Sequence, residues 1–158
     1  VLSYNPMTTV RTLLAMPELR LRARAGDDLL DRGISRVYVT ELPDPSRYLA
    51  ADELVLSGLL WWHGPDDAEV FVSALARAGC AALAASGADT GGIPDALVHA
   101  CLRHRVPLLE VPADLSFAVI TERVVSALAG GSDGARTRLL AVAAETGSLD
   151  ALVRAGAA

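Results

Sequence analysis

The chain has 158 residues, 52% of them hydrophobic, and a formal net charge of −5. That is enough for one domain with a proper core, or one domain with an appendage. The acidic balance argues against nucleic-acid contact through broad electrostatics, and two cysteines are too few for a secreted disulfide scaffold.

Val1 to Pro6 lack the basic region and apolar core of a signal peptide, and no apolar run is long enough to span a membrane. A cytoplasmic protein is expected. Thr8 or Thr9 is placed to cap a helix that starts near Val10, presents Val10, Leu13 and Leu14 on one face and ends at Pro17. Leu19 to Ala25 alternates apolar residue and arginine, the pattern of a half-exposed strand with an arginine row on its wet face. The row suits an anion site, but charged residues alternating on a sheet edge are ordinary protection against edge pairing. All 14 basic residues are arginine, which reads as the codon bias of a GC-rich genome.

Gly26-Asp27-Asp28 predicts a turn, and the β-branched and aromatic stretch Ile34 to Thr40 a strand. Glu41 to Arg47 carries Pro43 and Pro45, which stiffen it as a polar loop. Three apolar runs follow: Glu53 to Gly58, Cys80 to Gly87 and Pro107 to Pro112. Continuous apolar runs are the mark of buried parallel strands. Helical segments separate them, the first from Ala68 to Ala78, capped by Asp66 or Asp67 and closed by Gly79. Side by side ahead of it, Trp61 and Trp62 cannot share a face, so one suits the core and the other the surface. Pro94 fits the first turn of the second helix, which runs to about Arg105. A further helix runs from Asp114 or Leu115 to Leu128 with Phe117, Ile120, Val124 and Leu128 on one face. Gly130 to Gly134 predicts a linker, followed by helices at Ala135 to Glu145 and Ser148 to Ala155; the end after Ala155 looks cut from something longer.

The fold class expected is α/β: a small, mostly parallel sheet with flanking helices around a βαβαβ core. In such sheets ligands lie beyond the carboxyl ends of the strands, here Ser57 and Gly58, Ser86 and Gly87, and Glu110 and Pro112. The glycine-rich turn Ser86 to Gly92 is neither a dinucleotide fingerprint nor a P-loop, so no cofactor is expected. His99, Cys101 and His104 stand on one helix without a completing ligand set, and no metal is expected. Cys80 and Cys101 read as small core residues. No nucleophile and base form a recognisable motif, and His63, the histidine nearest a strand end, has no partner. The chain therefore reads as a binding or assembly module, not an enzyme.

Thr9-Val10-Arg11 with Leu13-Leu14, Val39 to Asp44, Glu53 to Gly58, Ile93-Pro94 and Pro107 to Pro112 occur in order and at sensible spacing. Together they resemble the N-terminal domain of PucR-like transcription regulators, the purine-catabolism regulator family, over about residues 7–128. The domain is also similar to the N-terminal domains of muramyl-peptide ligases and HPr kinase. The resemblance implies a sensory or dimerising domain of a bacterial, actinobacterial regulator at residues 7–128, with residues 129–158 leading into following domains. It implies a homodimer, a small-molecule effector, and contact with DNA only through a helix-turn-helix domain that this sequence lacks. Ser57 to Trp62 departs from the family, where a threonine-rich turn is commoner. The alternatives are a non-catalytic accessory domain of an enzyme related to muramyl-peptide ligases, and a purely structural dimerisation domain.

The expected ligand site comprises Thr40, Glu41, Asp44, Ser57, Gly58, Ser86, Gly87 and Glu110. Glu41 and Asp44 are read as acceptors for a cationic or amide-bearing ligand at ~1.5–3 kcal/mol per charge-assisted bond, or as residues that hold the loop by turn bonds.

Overall fold

The computed structural model of the chain describes residues 7–130. Thr9 caps the first helix, α1 (Val10–Leu14), through reciprocal bonds with Thr12. The arginine-rich segment gives strand β1 (Arg22–Ala25), shorter than expected because Arg20 adopts a left-handed backbone (φ 50°). The alternation holds: Leu19, Leu21 and Ala25 are buried, while Arg20 and Arg24 turn outward to Asp114 (3.0 Å) and Glu110 (2.7 Å). Gly26, at φ 86°, makes the expected turn. A Cβ there would come within 2.7 Å of the Pro107 backbone.

The remaining strands are β2 (Arg36–Val39), β3 (Glu53–Ser57), β4 (Ala82–Ser86) and β5 (Leu108–Val111), with helices α2 (Pro65–Ala78), α3 (Asp95–His104) and α4 (Phe117–Ala129). They form one five-stranded sheet in the order β1-β5-β4-β3-β2. The β3-α2-β4-α3-β5 unit is the expected βαβαβ core, and β2 adds a fourth parallel strand beside β3. Edge strand β1 runs antiparallel to β5. Leu54 and Leu56 of β3 pack with Val10, Leu13, Ile120 and Val124 on one face of the sheet. Val55 packs with Phe71, Leu75 and Leu97 on the other. Two buried faces explain why the central strands β3 and β4 lack polar alternation.

Three helix starts differ from the sequence reading. Helix α2 begins at Pro65 behind Gly64, one turn before Ala68, because proline is preorganised for a first helical position. Asp67 is not its N-cap; its carboxylate reaches back to accept the His63 N–H at 2.7 Å. Pro94 is the N-cap of α3, its carbonyl accepting from Leu97 and Val98. Ser116 caps α4 through the Ala118 N–H, which moves that start past Leu115. Gly79 closes α2 as expected, at φ 77°. The expected helices Ala135 to Glu145 and Ser148 to Ala155, and the linker after Gly130, lie outside the described residues. Among the described residues, no helix is long and apolar enough to cross a membrane.

Both cysteines are in the core, and burial pushes each thiol up to about 12; at Cys80 the charge of Glu53 adds to this. Thiolate is the reactive form. Neither cysteine should therefore react with a disulfide reagent within an hour at pH 8, and both should react at once in guanidinium. Rapid labelling of the folded protein would show that these faces open.

At the surface, bonds from Arg105, Arg11 and Arg103 hold the carboxyls of Asp28, Asp31 and Glu69 below their ordinary values of 3.8 and 4.5. A depressed carboxyl stabilises the fold above its unfolded pKa, and that contribution disappears as pH falls through the folded value. Melting temperature should therefore be insensitive to these groups from pH 7 to pH 5 and decline below about pH 4. The decline should be small, because the pairs are exposed. Melts across this range at low and at 1 M salt check it: salt should blunt the decline.

Candidate functional site

At the end of β2, the Thr40 N–H bonds to the Leu56 carbonyl at 3.0 Å, and its buried hydroxyl accepts from the Leu42 N–H at 3.1 Å. This turn sends Glu41 across the carboxyl end of β3. Oε1 of Glu41 accepts from the Ser57 hydroxyl and the Leu60 N–H, both at 3.0 Å, and Oε2 accepts from the Gly58 N–H at 2.5 Å. One carboxylate thus closes the end of a strand whose last residue, Ser57, lies sixteen residues away in sequence.

The receiving side is stiff. The Ser57 hydroxyl gives its proton to Glu41 and accepts from the Leu59 N–H (3.1 Å) and the Trp61 Nε1–H (2.9 Å), which exhausts its bonding capacity. Trp61 is itself stacked on Phe71, with centroids 4.3 Å apart and planes 14° from parallel, and meets the edge of Trp62 at 6.3 Å. Trp61 is buried and Trp62 half-buried, as the adjacent pair implied. Buried Leu59 is left-handed (φ 62°), and its neighbours' N–H groups, those of Gly58 and Leu60, reach one carboxylate, the arrangement of an anion-binding nest. A Cβ at Gly58 would sit 3.3 Å from Glu41 Oε2, so a side chain there would crowd the carboxylate.

Thr40, Glu41, Ser57 and Gly58 therefore come together. Ser86 and Gly87 end the adjacent strand β4, which pairs Ala85 with Ser57. Ser86 Oγ accepts from the Ala88 N–H at 3.3 Å, and Gly87 lies so close to Gly92 that a Cβ would meet its backbone at 2.5 Å. Asp44 stands apart on the exposed loop. It accepts from the backbone N–H (3.1 Å) and the hydroxyl of Ser46, bonds that hold its carboxyl below the ordinary value. Glu110 sits farther along the sheet, one strand beyond β4, and its carboxylate holds Arg24 of β1 at 2.7 Å. The Leu60 N–H, the Leu59 backbone and the Trp61 indole were not on the expected list. Their roles depend on a backbone conformation that no residue-type pattern announces.

A cavity of about 310 Å³ lies at the opposite, amino ends of β3 and β4, lined by Arg32, Asp52, Cys80, His104 and Arg105 among others. His104 Nε2 is 2.5 Å from Glu69, and Arg105 is tied to Asp28 at 2.9 Å. His63 is exposed, with Nδ1 2.9 Å from the Trp61 carbonyl. No group of three or more His, Cys, Asp and Glu among the described residues is placed to hold a metal ion.

The model of the purine catabolism regulatory protein-like family matches residues 12–128, most of the described fold and the whole strand-end cluster. The chain belongs to that family. None of the curated proteins matches it. Membership makes residues 12–128 a regulatory domain of the kind found in transcription regulators, and the family is defined by regulation, not by a reaction. The family match spans both halves of the cluster, the Thr40 to Asp44 loop and the β3 end.

Proposed function

We propose that this domain receives the signal for a transcription regulator, taking a small-molecule effector where the Thr40 to Asp44 loop meets Ser57-Gly58 and Ser86-Gly87. The supporting observation is the convergence of Thr40, Glu41, Ser57 and Gly58 at the carboxyl end of a parallel strand, where open α/β sheets hold ligands. Glu110 marks the far end of the same row of strand ends. The domain works as a homodimer in the cytoplasm, and contact with DNA belongs to another domain. A thermal-shift screen with purines, ureides and amino acids tests the effector, repeated on Ser57→Trp. A ligand that stabilises the parent and not Ser57→Trp supports the site; equal stabilisation of both places it elsewhere.

A second reading is favoured by the saturation of the loop: both carboxylates, Glu41 and Asp44, are bonded to their own chain. On that reading the domain is a dimerisation module without an effector. No hit from a broad library, with a robust dimer by light scattering, would support it.

A further inference from the structure

We infer that the end of β3 is a carboxylate-recognition site that the chain's own Glu41 occupies, and that a small organic carboxylate with an apolar body acts by displacing it. The inference rests on the effector site proposed above and names the ligand class. Three donors converge on one carboxylate: the Ser57 hydroxyl, the Gly58 N–H and the Leu60 N–H. Their positions are set without Glu41. Strand β3 fixes Ser57, left-handed Leu59 orients the two amides, and Trp61, stacked on Phe71, holds the Ser57 oxygen from behind. This is a preformed anion cradle.

The occupant, by contrast, arrives on a surface loop. Leu42, Pro43 and Asp44 are exposed, and the bonds of Thr40 and Asp44 within the loop close over two residues only. Exchanging one carboxylate for another conserves every bond of the cradle. An incoming ligand therefore competes only with the effective concentration of the tethered side chain. Its body has apolar neighbours, since Leu42, next to Glu41, is 42% exposed and Leu60, which donates to it, is 57% exposed. Entry of the ligand frees the stretch from Glu41 to Asp44, between Thr40 and buried Pro45, so occupancy is converted into loop release on the surface.

Competition makes a prediction opposite to contact. If Glu41 bonded the effector, removing it would weaken binding; if it blocks the cradle, removing it must tighten binding. The probes are phenylacetate and acetate, titrated into the ¹⁵N-labelled full chain and into Glu41→Ala, with chloride at equal ionic strength as control. The amide resonances of Gly58 and Leu60 should move saturably with phenylacetate, more weakly with acetate and not with chloride. The affinity of Glu41→Ala should be at least about tenfold tighter than that of the parent, because the blocking state is gone. Glu41→Gln, which keeps the shape and removes the charge, should also bind more tightly than the parent and serves if the alanine variant does not fold. Equal affinity in parent and variants, or no movement of these two amides in any of them, would overturn the inference. A purine or amine from the thermal-shift screen that binds the parent and loses affinity in Glu41→Ala would overturn it too, while leaving the effector site standing.

Discussion

Replacing Phe71 with alanine is expected to cost about 3–5 kcal/mol, the range for a fully buried phenylalanine, and to lower the melting temperature by roughly 10–20 °C. Phe71 is wholly buried among Val55, Leu75 and Leu97 on one face of the sheet and forms the stacking platform of Trp61. The cavity would open directly behind the indole that holds Ser57. The loss should therefore reach the strand end, and tryptophan emission should shift to the red before global unfolding. Phe71→Leu keeps most of the volume and should cost less than about 1.5 kcal/mol. Melts followed by circular dichroism and fluorescence check both; similar stabilities of the alanine and leucine variants would mean that this face repacks freely.

The second large effect belongs to Glu41→Ala, at about 1–3 kcal/mol. Removal of the carboxylate leaves the hydroxyl of fully buried Ser57 without its acceptor, and a buried donor left unpaired costs about 1–3 kcal/mol. The part-buried Gly58 amide and the Leu60 amide can turn to water and add little. Asp44→Ala is the control. Its partner Ser46 is exposed, so the change should stay within about 0.5 kcal/mol. Denaturant titrations of the two variants should differ severalfold in their effect on stability. Equal effects would mean that the cradle does not stabilise the strand end.

The parts of the fold that the sequence discloses are those governed by local rules. The strands β3, β4 and β5 are legible because both their faces are buried, which leaves runs such as Leu54-Val55-Leu56 without a polar residue. Gly79 is legible because a helix ending in the left-handed region favours glycine. The antiparallel direction of β1 is not legible: Leu19 to Ala25 states that one face is wet but not which strand it joins. The start of α2 is misread because Asp67 has the chemistry of a cap, while its side chain serves a bond from His63 one turn back. At the site, the sheet rule leads to Ser57 and Gly58. It does not say that Glu41 fills the space between them, because that depends on the direction of a side chain sixteen residues away. Glu110, read as a strand-end acceptor, is tied by Arg24, a contact 86 residues apart that periodicity does not report.

The position of β1 also governs how the chain is made. Strands β1 and β2 are neighbours in sequence yet occupy opposite edges of the sheet. The partner of β1 is β5, and their contact through Arg24 and Glu110 closes only after a further 86 residues. At 5–20 residues per second of synthesis, that is a wait of roughly 4–17 s during which β1 has no strand to join. A nascent strand in that condition is a target for pairing with another nascent chain. Arg20, Arg22 and Arg24 place a positive charge at every second position of this segment, which repels a second copy of itself until β5 is released from the ribosome. Long-range closure of this kind also makes refolding slow relative to a helical domain of equal size, with the edge strand as the last piece to lock.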